Sequence, residues 1–267
     1  MTATALRPRQ IMALLVIGAA GLLSAAPSAA PAVEAPTVLI TGASRGIGLE
    51  FTRQYAVRGW RVLATCRTPD SAAELQAIVD AHANVTIEQL DVTDHARIDA
   101  LARQYRGQPI DLLINNAGIS GGFENQVFGN IRYEYFNDVL ATNFIAPLKM
   151  AEAFIDHVAA SEQKKIMNIS SRPSSIALTT GAQYIDRPSK ASLNMVMRTL
   201  AKDVADRGVT VGLVAPGLVD TDLTRALVGI PKISPEESVT ALIELIDNFT
   251  FEMSGSLIQH TGEPIPW

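Results

Sequence analysis

The 267-residue chain is short of several things, and each shortage closes off a class of function. It holds one cysteine, Cys66, so no internal disulfide can form, and paired-cysteine zinc or redox motifs are excluded. Its four histidines, His82, His95, His157 and His260, are scattered with no two at metal-ligand spacing, so no catalytic metal is expected. There is no surplus of positive charge. Against 27 acidic residues stand 22 basic ones, a net charge of −5, which is a poor balance for binding nucleic acid through its phosphates. Apolar residues are not lacking: 48% hydrophobic and 18% charged describe a globular chain able to bury a sizeable core. In that setting Cys66, on an apolar run, reads as a small core residue rather than a reactive thiol.

The first 35 residues differ from the rest. Residues 1–10 carry Arg7 and Arg9 and no acid, and residues 11–23 (IMALLVIGAAGLL) form an unbroken apolar run of 13. Small residues and prolines follow. This is the order of a secretory signal, and thirteen residues are short for a membrane span, which needs roughly 20. Cleavage after Ala32 satisfies the small-x-small rule, with competing sites between Ala26 and Ala35. Residues 1–35 are therefore expected to be a signal peptide or an N-terminal membrane anchor, with any membrane contact confined to residues 11–23. The protein is then exported, periplasmic or extracellular, or anchored with its domain facing outward. If the signal is not used, it is cytoplasmic.

From residue 36 to 267 the pattern alternates. β-branched and aliphatic runs at 37–41, 61–65, 85–90, 110–115, 165–169 and 209–215 read as strands. Helical spacing covers 46–58, 71–81, about 94–105, a long stretch at about 132–159, and 188–206. Such alternation with short connections predicts an α/β fold of one domain: a doubly wound, Rossmann-type parallel sheet with helices on both faces. Ligands of such sheets bind at the carboxyl ends of the strands, near the switch point. Met150, Ala153, Phe154 and Val158 read as core or subunit interface, and Tyr133, Tyr135 and Phe136 as packing.

The strand ends carry the informative residues. After the first strand stands Thr41-Gly42-Ala43-Ser44-Arg45-Gly46-Ile47-Gly48, opening a helix; glycines there let a pyrophosphate approach backbone at a helix N-terminus. Its Gly-x-x-x-Gly-x-Gly spacing resembles that of the short-chain dehydrogenases/reductases. The resemblance extends along residues 37–267 through Asp91-Val92, Asn115-Asn116-Ala117-Gly118, Asn143, Ser170-Ser171 and Pro216-Gly217 with Thr221 behind it. Ser189-Lys190-Ala-Ser-Leu-Asn194, Ser-Pro-Glu-Glu-Ser238 and the ending Gly-Glu-Pro-Ile-Pro-Trp267 look most like the C-factor/carbonyl-reductase-like branch.

The resemblance implies a nicotinamide dinucleotide held by Gly42, Ser44, Arg45, Gly46, Ile47, Gly48, Arg67, Asp91, Val92, Asn116, Ala117, Gly118, Lys190, Pro216, Gly217 and Thr221. Among these, Asp91 takes the adenine-contacting role and the 216–221 segment the nicotinamide side. An NAD enzyme needs an acid near the end of strand two, to bond the ribose 2′-hydroxyl. Here that strand ends Ala64-Thr65-Cys66-Arg67, with no acid before Asp70, and Arg67 with Arg45 can hold a 2′-phosphate by charge-assisted bonds. NADP(H) is expected rather than NAD(H). The resemblance also implies a small carbonyl or alcohol substrate and a homodimer or homotetramer. The segment 223–233, short and mostly aliphatic, matches the family's substrate-covering loop in position.

One family motif fails. The family uses Tyr-x-x-x-Lys, in which the lysine lowers the tyrosine pKa and the tyrosine exchanges a proton with the substrate oxygen while a serine, here Ser171, orients it. Lys190 supplies the lysine, but Asp186 stands four residues before it and the nearest tyrosine, Tyr184, stands six before. On one continuous helix Tyr184 points about 120° away from the lysine's face. Pro188, however, favours a helix starting near itself, which leaves Tyr184 in a lead-in loop where that objection lapses. A carboxylate beside Lys190 is expected to stay ionised, which ranks Asp186 below Tyr184 as proton donor. Two functions stay open: an NADP(H)-dependent reductase of small carbonyls using Asn143, Ser171, Lys190 and Tyr184 or Asp186, or a nucleotide-binding protein without catalysis, with a signalling role.

Overall fold

In a computed structural model the chain is described over residues 1–5 and 35–267. The expectations for the apolar run 11–23 and its cleavage sites lie outside the described residues.

The alternation read from the sequence is a seven-stranded sheet in which every pairing is parallel. In chain order come β1 (Thr37–Ile40), α1 (Gly46–Val57), β2 (Arg61–Cys66), α2 (Ala73–Ala81), β3 (Val85–Gln89), α3 (His95–Gln104) and β4 (Leu112–Asn115). A two-residue hairpin, β5 (Gln126–Val127) and β6 (Asn130–Ile131), precedes α4 (Phe136–Leu140) and α5 (Ala146–Ala159). Then follow β7 (Lys165–Ile169), α6 (Asp186–Asp203), β8 (Thr210–Ala215), α7 (Pro235–Asp247) and β9 (Leu257–Gln259). The strand order is β3-β2-β1-β4-β7-β8-β9. The direction of winding therefore reverses between β1 and β4, and the crevice at their carboxyl ends is the place for a ligand.

Alternation along the strands divides the core in two. Leu39, Leu63 and Leu113 face one side, against Ile98 and Leu101 of α3, Met150 and Phe154 of α5 and Met197 of α6. Val38, Ile40, Val62 and Ile114 face the other, against Phe51 and Tyr55 of α1, Leu75 of α2 and Leu242 of α7. The buried strands are apolar on both sides because helices cover both faces. Cys66 is buried with the second group.

Three local expectations are corrected. The stretch 132–159 is not one helix. It opens with a 3₁₀ turn, Tyr133–Tyr135, and α4 joins α5 through a π-type turn, Ala141–Ile145. Pro147 has no N–H to give the carbonyl four residues back, so a widened turn next to it loses little. Tyr133 and Tyr135 lie at the surface, where Tyr133 stacks on Phe136 with ring centroids 5.8 Å apart. Second, α6 begins at Asp186, two residues ahead of Pro188. The proline sits within the first turn, where N–H groups have no partner inside the helix, and the buried side chain of Gln126 receives the N–H groups of Ile185 and Asp186. Third, α7 and β9 were not assigned, although Ser234 caps α7 by accepting from the Glu237 N–H at 3.0 Å and Pro235 opens it.

Phe154 has no exposed surface and joins α5 to the larger core group. Truncating it to alanine is expected to cost about 3–5 kcal/mol in a urea melt, through lost burial and the cavity left behind.

Candidate active site

The end of β1 and the end of β4 are clasped together by Thr41. Its hydroxyl receives the backbone N–H groups of Asn116 at 3.0 Å and Ala117 at 3.1 Å. The Asn116 amide donates back to the carbonyls of Thr41 at 2.9 Å and Gly42 at 3.2 Å. The two loops touch so closely that side chains do not fit between them. A Cβ on Gly48 would lie 2.3 Å from the Gly42 carbonyl oxygen, and one on Gly42 would lie 2.9 Å from Ala117 Cα, at a φ of +68°. Helix α1 then opens at Gly46 with no side-chain cap. Its first N–H groups face the crevice side of this turn, the arrangement that receives a phosphate. A backbone cradle emptied of side chains beside an uncapped helix N-terminus fits a dinucleotide pyrophosphate.

The predicted adenosine end is a cleft of about 520 Å³ lined by Arg67, Thr68, Gln89, Asp91, Asp94 and Arg97. Burial raises the Asp91 carboxyl, but the Thr93 N–H and hydroxyl at 2.9 and 2.7 Å, with the Arg67 charge, outweigh it and hold the group below its ordinary value. Val92 is buried beside it. Arg45 is exposed and lies 3.9 Å from Asp222, a pairing worth little in water. From the other side, the Pro216–Thr221 segment reaches the glycine loop: the Thr221 methyl would be 3.2 Å from a Cβ on Gly46. The Ser238 hydroxyl anchors it on the Pro216 carbonyl at 2.7 Å, and Gly217 turns there with a positive φ.

Past β4, Asn143, Lys190 and Gly118 converge. A Cβ on Gly118 would be 3.3 Å from Asn143 Oδ1 and 3.5 Å from Lys190 Nζ. Asn143, buried in the π-type turn, is fixed on both sides: Oδ1 accepts from Ile119 N–H at 2.9 Å, and Nδ2 donates to the Ile119 carbonyl at 2.8 Å and to Ser189 Oγ at 2.9 Å. Ser189 in turn donates to the Asp186 carbonyl at 2.7 Å. Lys190 Nζ donates to the Ile169 carbonyl at the end of β7, at 2.9 Å. Ser171, two residues further, is extended and half-buried. The loop it opens is secured from α6, since Asn194 receives the Ser170 hydroxyl at 2.6 Å and donates to Ser174 Oγ at 2.7 Å.

Asp186 and Lys190 stand one turn apart on one face of α6, since the helix includes both. Burial raises the Asp186 carboxyl, and the charges of Lys190 and Arg187 do not cancel that rise. Burial likewise pushes the Lys190 ammonium down, more than Asp186 holds it up. Tyr184 lies outside the helix, in the turn that leads into it. Its ring is 40% exposed and packs against Phe128 of the hairpin, with centroids 6.0 Å apart. The chain thus brings Asn143, Asp186 and Lys190 together through shared bonds and one helix face. Thr41, Ser189 and Asn194 were missed in the sequence. Asn194, four residues after Lys190, could have been found from its helical spacing; Thr41 carries no such signal.

Comparison with known proteins agrees with this construction. The family model for short chain dehydrogenases matches residues 36–229. The 3-oxoacyl-(acyl-carrier-protein) reductase FabG of Escherichia coli is 32% identical over 240 residues, covering 87% of this chain and 95% of that protein. The NADPH-bound carbonyl reductase from chicken fatty liver superposes with a TM-score of 0.79 at 32% identity, covering 88% of this chain and 100% of the other. A carbonyl reductase from Pseudomonas aeruginosa in complex with NADP gives 0.72 at 28% identity, over 87% of this chain and 100% of that one. With the glycine cradle, the clasped switch point and the Asn143–Lys190 cluster in place on this fold, the chain belongs to the short-chain dehydrogenase/reductase family of oxidoreductases.

Proposed function

We propose that this protein moves hydride between NADP(H) and a small carbonyl or alcohol. The observation that carries the reading is the convergence of Lys190 and Asn143 at Gly118, beside a phosphate cradle flanked by Arg45 and Arg67. Both similar carbonyl reductases above were solved with this cofactor, and the 2′-phosphate side here holds arginines with no carboxylate at the end of β2. Being reductases, these relatives also favour catalysis over a purely binding role.

When bound, the nicotinamide supplies and receives the hydride. The chain's own residues do the rest. The backbone at Gly42, Ser44, Gly46, Ile47 and Gly48 holds the pyrophosphate, Lys190 anchors beside Asn143, and Ser171 orients the substrate oxygen by a hydrogen bond. The proton step falls to Asp186 in this reading. Its support is placement first: Asp186 shares a face of α6 with Lys190, whereas Tyr184 stands outside the helix against Phe128, and burial raises the Asp186 carboxyl against its cationic neighbours. A carboxyl reaches less far than a phenol, so the substrate oxygen sits close to α6 or one water spans the gap. The mostly aliphatic 223–233 segment, with Val228 and Ile230 exposed, suits a small and partly apolar substrate. Residues 1–35 are taken to export or anchor the domain, which fractionation of cells making the full chain reads directly.

Three outcomes follow for the purified full chain, with NADPH oxidation against a panel of aldehydes and ketones as the assay. Asp186→Asn lowers kcat by about 10²–10⁴-fold and Tyr184→Phe leaves it nearly unchanged; the opposite pattern gives the proton step to Tyr184. Because the neutral carboxyl is the donor and its pKa is raised, wild-type reduction is fastest on the acid side and falls as pH rises through that raised value. Arg67→Ala narrows the NADPH-over-NADH ratio in kcat/KM by about tenfold or more, the worth of one charge-assisted bond, and an unchanged ratio defeats the NADP(H) reading.

A further inference from the structure

Gln126 is the first residue of β5, and its side chain has no exposed surface. A glutamine amide offers two N–H donors and two acceptor lone pairs. All four are used here. Oε1 receives the backbone N–H groups of Ile185 at 3.1 Å and Asp186 at 2.7 Å, and Nε2 donates to the carbonyls of Ser120 at 2.6 Å and Gly122 at 2.9 Å. Its own backbone carbonyl also receives the Tyr184 N–H at 3.4 Å. One residue therefore fastens three segments: the hairpin, the run that follows Asn116-Ala117-Gly118, and the turn that opens α6.

The surrounding backbone is shaped for this contact. Gly121 and Gly122 both turn with positive φ, and a Cβ on Gly122 would lie 2.6 Å from Asn125 Nδ2. Helix α6 has no N-cap of its own, since Ile185 occupies that position. The cap comes instead from a residue 60 positions away in sequence. By taking the Asp186 N–H, Gln126 also removes the donor that an aspartate at a helix start would otherwise use for its own carboxylate.

We infer that Gln126 is a positioning residue, which sets the Tyr184–Asp186 turn against the Asn143–Lys190 cluster so that the proton-exchanging group meets the substrate oxygen. The inference rests on the reading of Asp186 and Lys190 as part of the reaction.

The test compares Gln126→Leu, which is of similar size and loses all four side-chain bonds, with Gln126→Glu, which still accepts but can donate only when neutral. Asn130→Ala, an exposed change on the same hairpin, is the control. In the full chain, Gln126→Leu is expected to lower kcat by about 10–100-fold while the Kd for NADPH, read by fluorescence, stays within about twofold. Gln126→Glu recovers part of that loss toward acid pH, and Asn130→Ala matches the wild type. Amide exchange in Gln126→Leu speeds up at residues 184–190 and not across the sheet.

A folded Gln126→Leu with wild-type kcat overturns the inference, as does a loss of kcat matched by an equal loss of NADPH affinity, or faster exchange throughout the domain. If Gln126→Leu does not fold, Gln126→Glu decides: activity in constant ratio to wild type at every pH overturns the inference. A wild type that binds NADPH and turns over none of the panel defeats the reductase reading itself, and the exchange pattern still reports whether Gln126 holds the turn.

Discussion

Placing a lysine ammonium inside a protein costs several kcal/mol unless partners replace the water it loses. Lys190 is in that position, and much of the surrounding architecture answers to it. The β7 strand must end so that the Ile169 carbonyl points at Nζ. A Cβ at residue 118 would stand in contact with Nζ at 3.5 Å and press on Asn143 Oδ1 at 3.3 Å, so the backbone there runs close beside the ammonium. Asn143, in the π-type turn before Pro147, is buried and bonded through both its amide oxygen and its amide nitrogen. Ser189 then carries the constraint on to Asp186. The ammonium ties the end of β7 to α6, and Asn143 with Ser189 ties the run after β4 to the same helix.

How much of this was legible depended on range. The sheet, its parallel direction and the two-faced core followed from apolar runs alternating with helical spacing, because buried parallel strands are apolar on both sides. The glycine cradle was legible because Gly42 sits in the turn after a strand and Gly48 in the first turn of the helix that follows, where a positive φ and close backbone approach call for glycine. The long segment 132–159 was misread as one helix because each piece of it is helical in spacing, and the π-type turn shows only in the pairing of carbonyls ahead of Pro147. The start of α6 was misplaced for a different reason. Pro188 is a local signal, while the cap that overrides it comes from Gln126, 60 residues earlier, which follows Glu124 and Asn125 and is not set apart from them in the sequence.

At Asp186 charge and burial pull in opposite directions, and only the first is legible in the sequence. Counting neighbours along the helix places Lys190 and Arg187 beside the carboxyl and predicts an ionised group. Desolvation has no sequence signature of comparable clarity, yet it acts first here, and it acts on both partners. It raises the acid and lowers the base. Each charge opposes the shift of the other, and in both groups burial is the larger effect.

In the reading that gives Asp186 the proton step, burial takes over the part that the lysine plays for the family's phenol. A phenol beside a lysine begins far above neutral pH and is drawn down by the positive charge. A carboxyl begins far below and is pushed up by burial. The two approach a useful pKa from opposite sides, and the same lysine helps the first and opposes the second. A carboxyl therefore works at this position only if the lysine is itself held less charged than usual, which the enclosure of Lys190 favours.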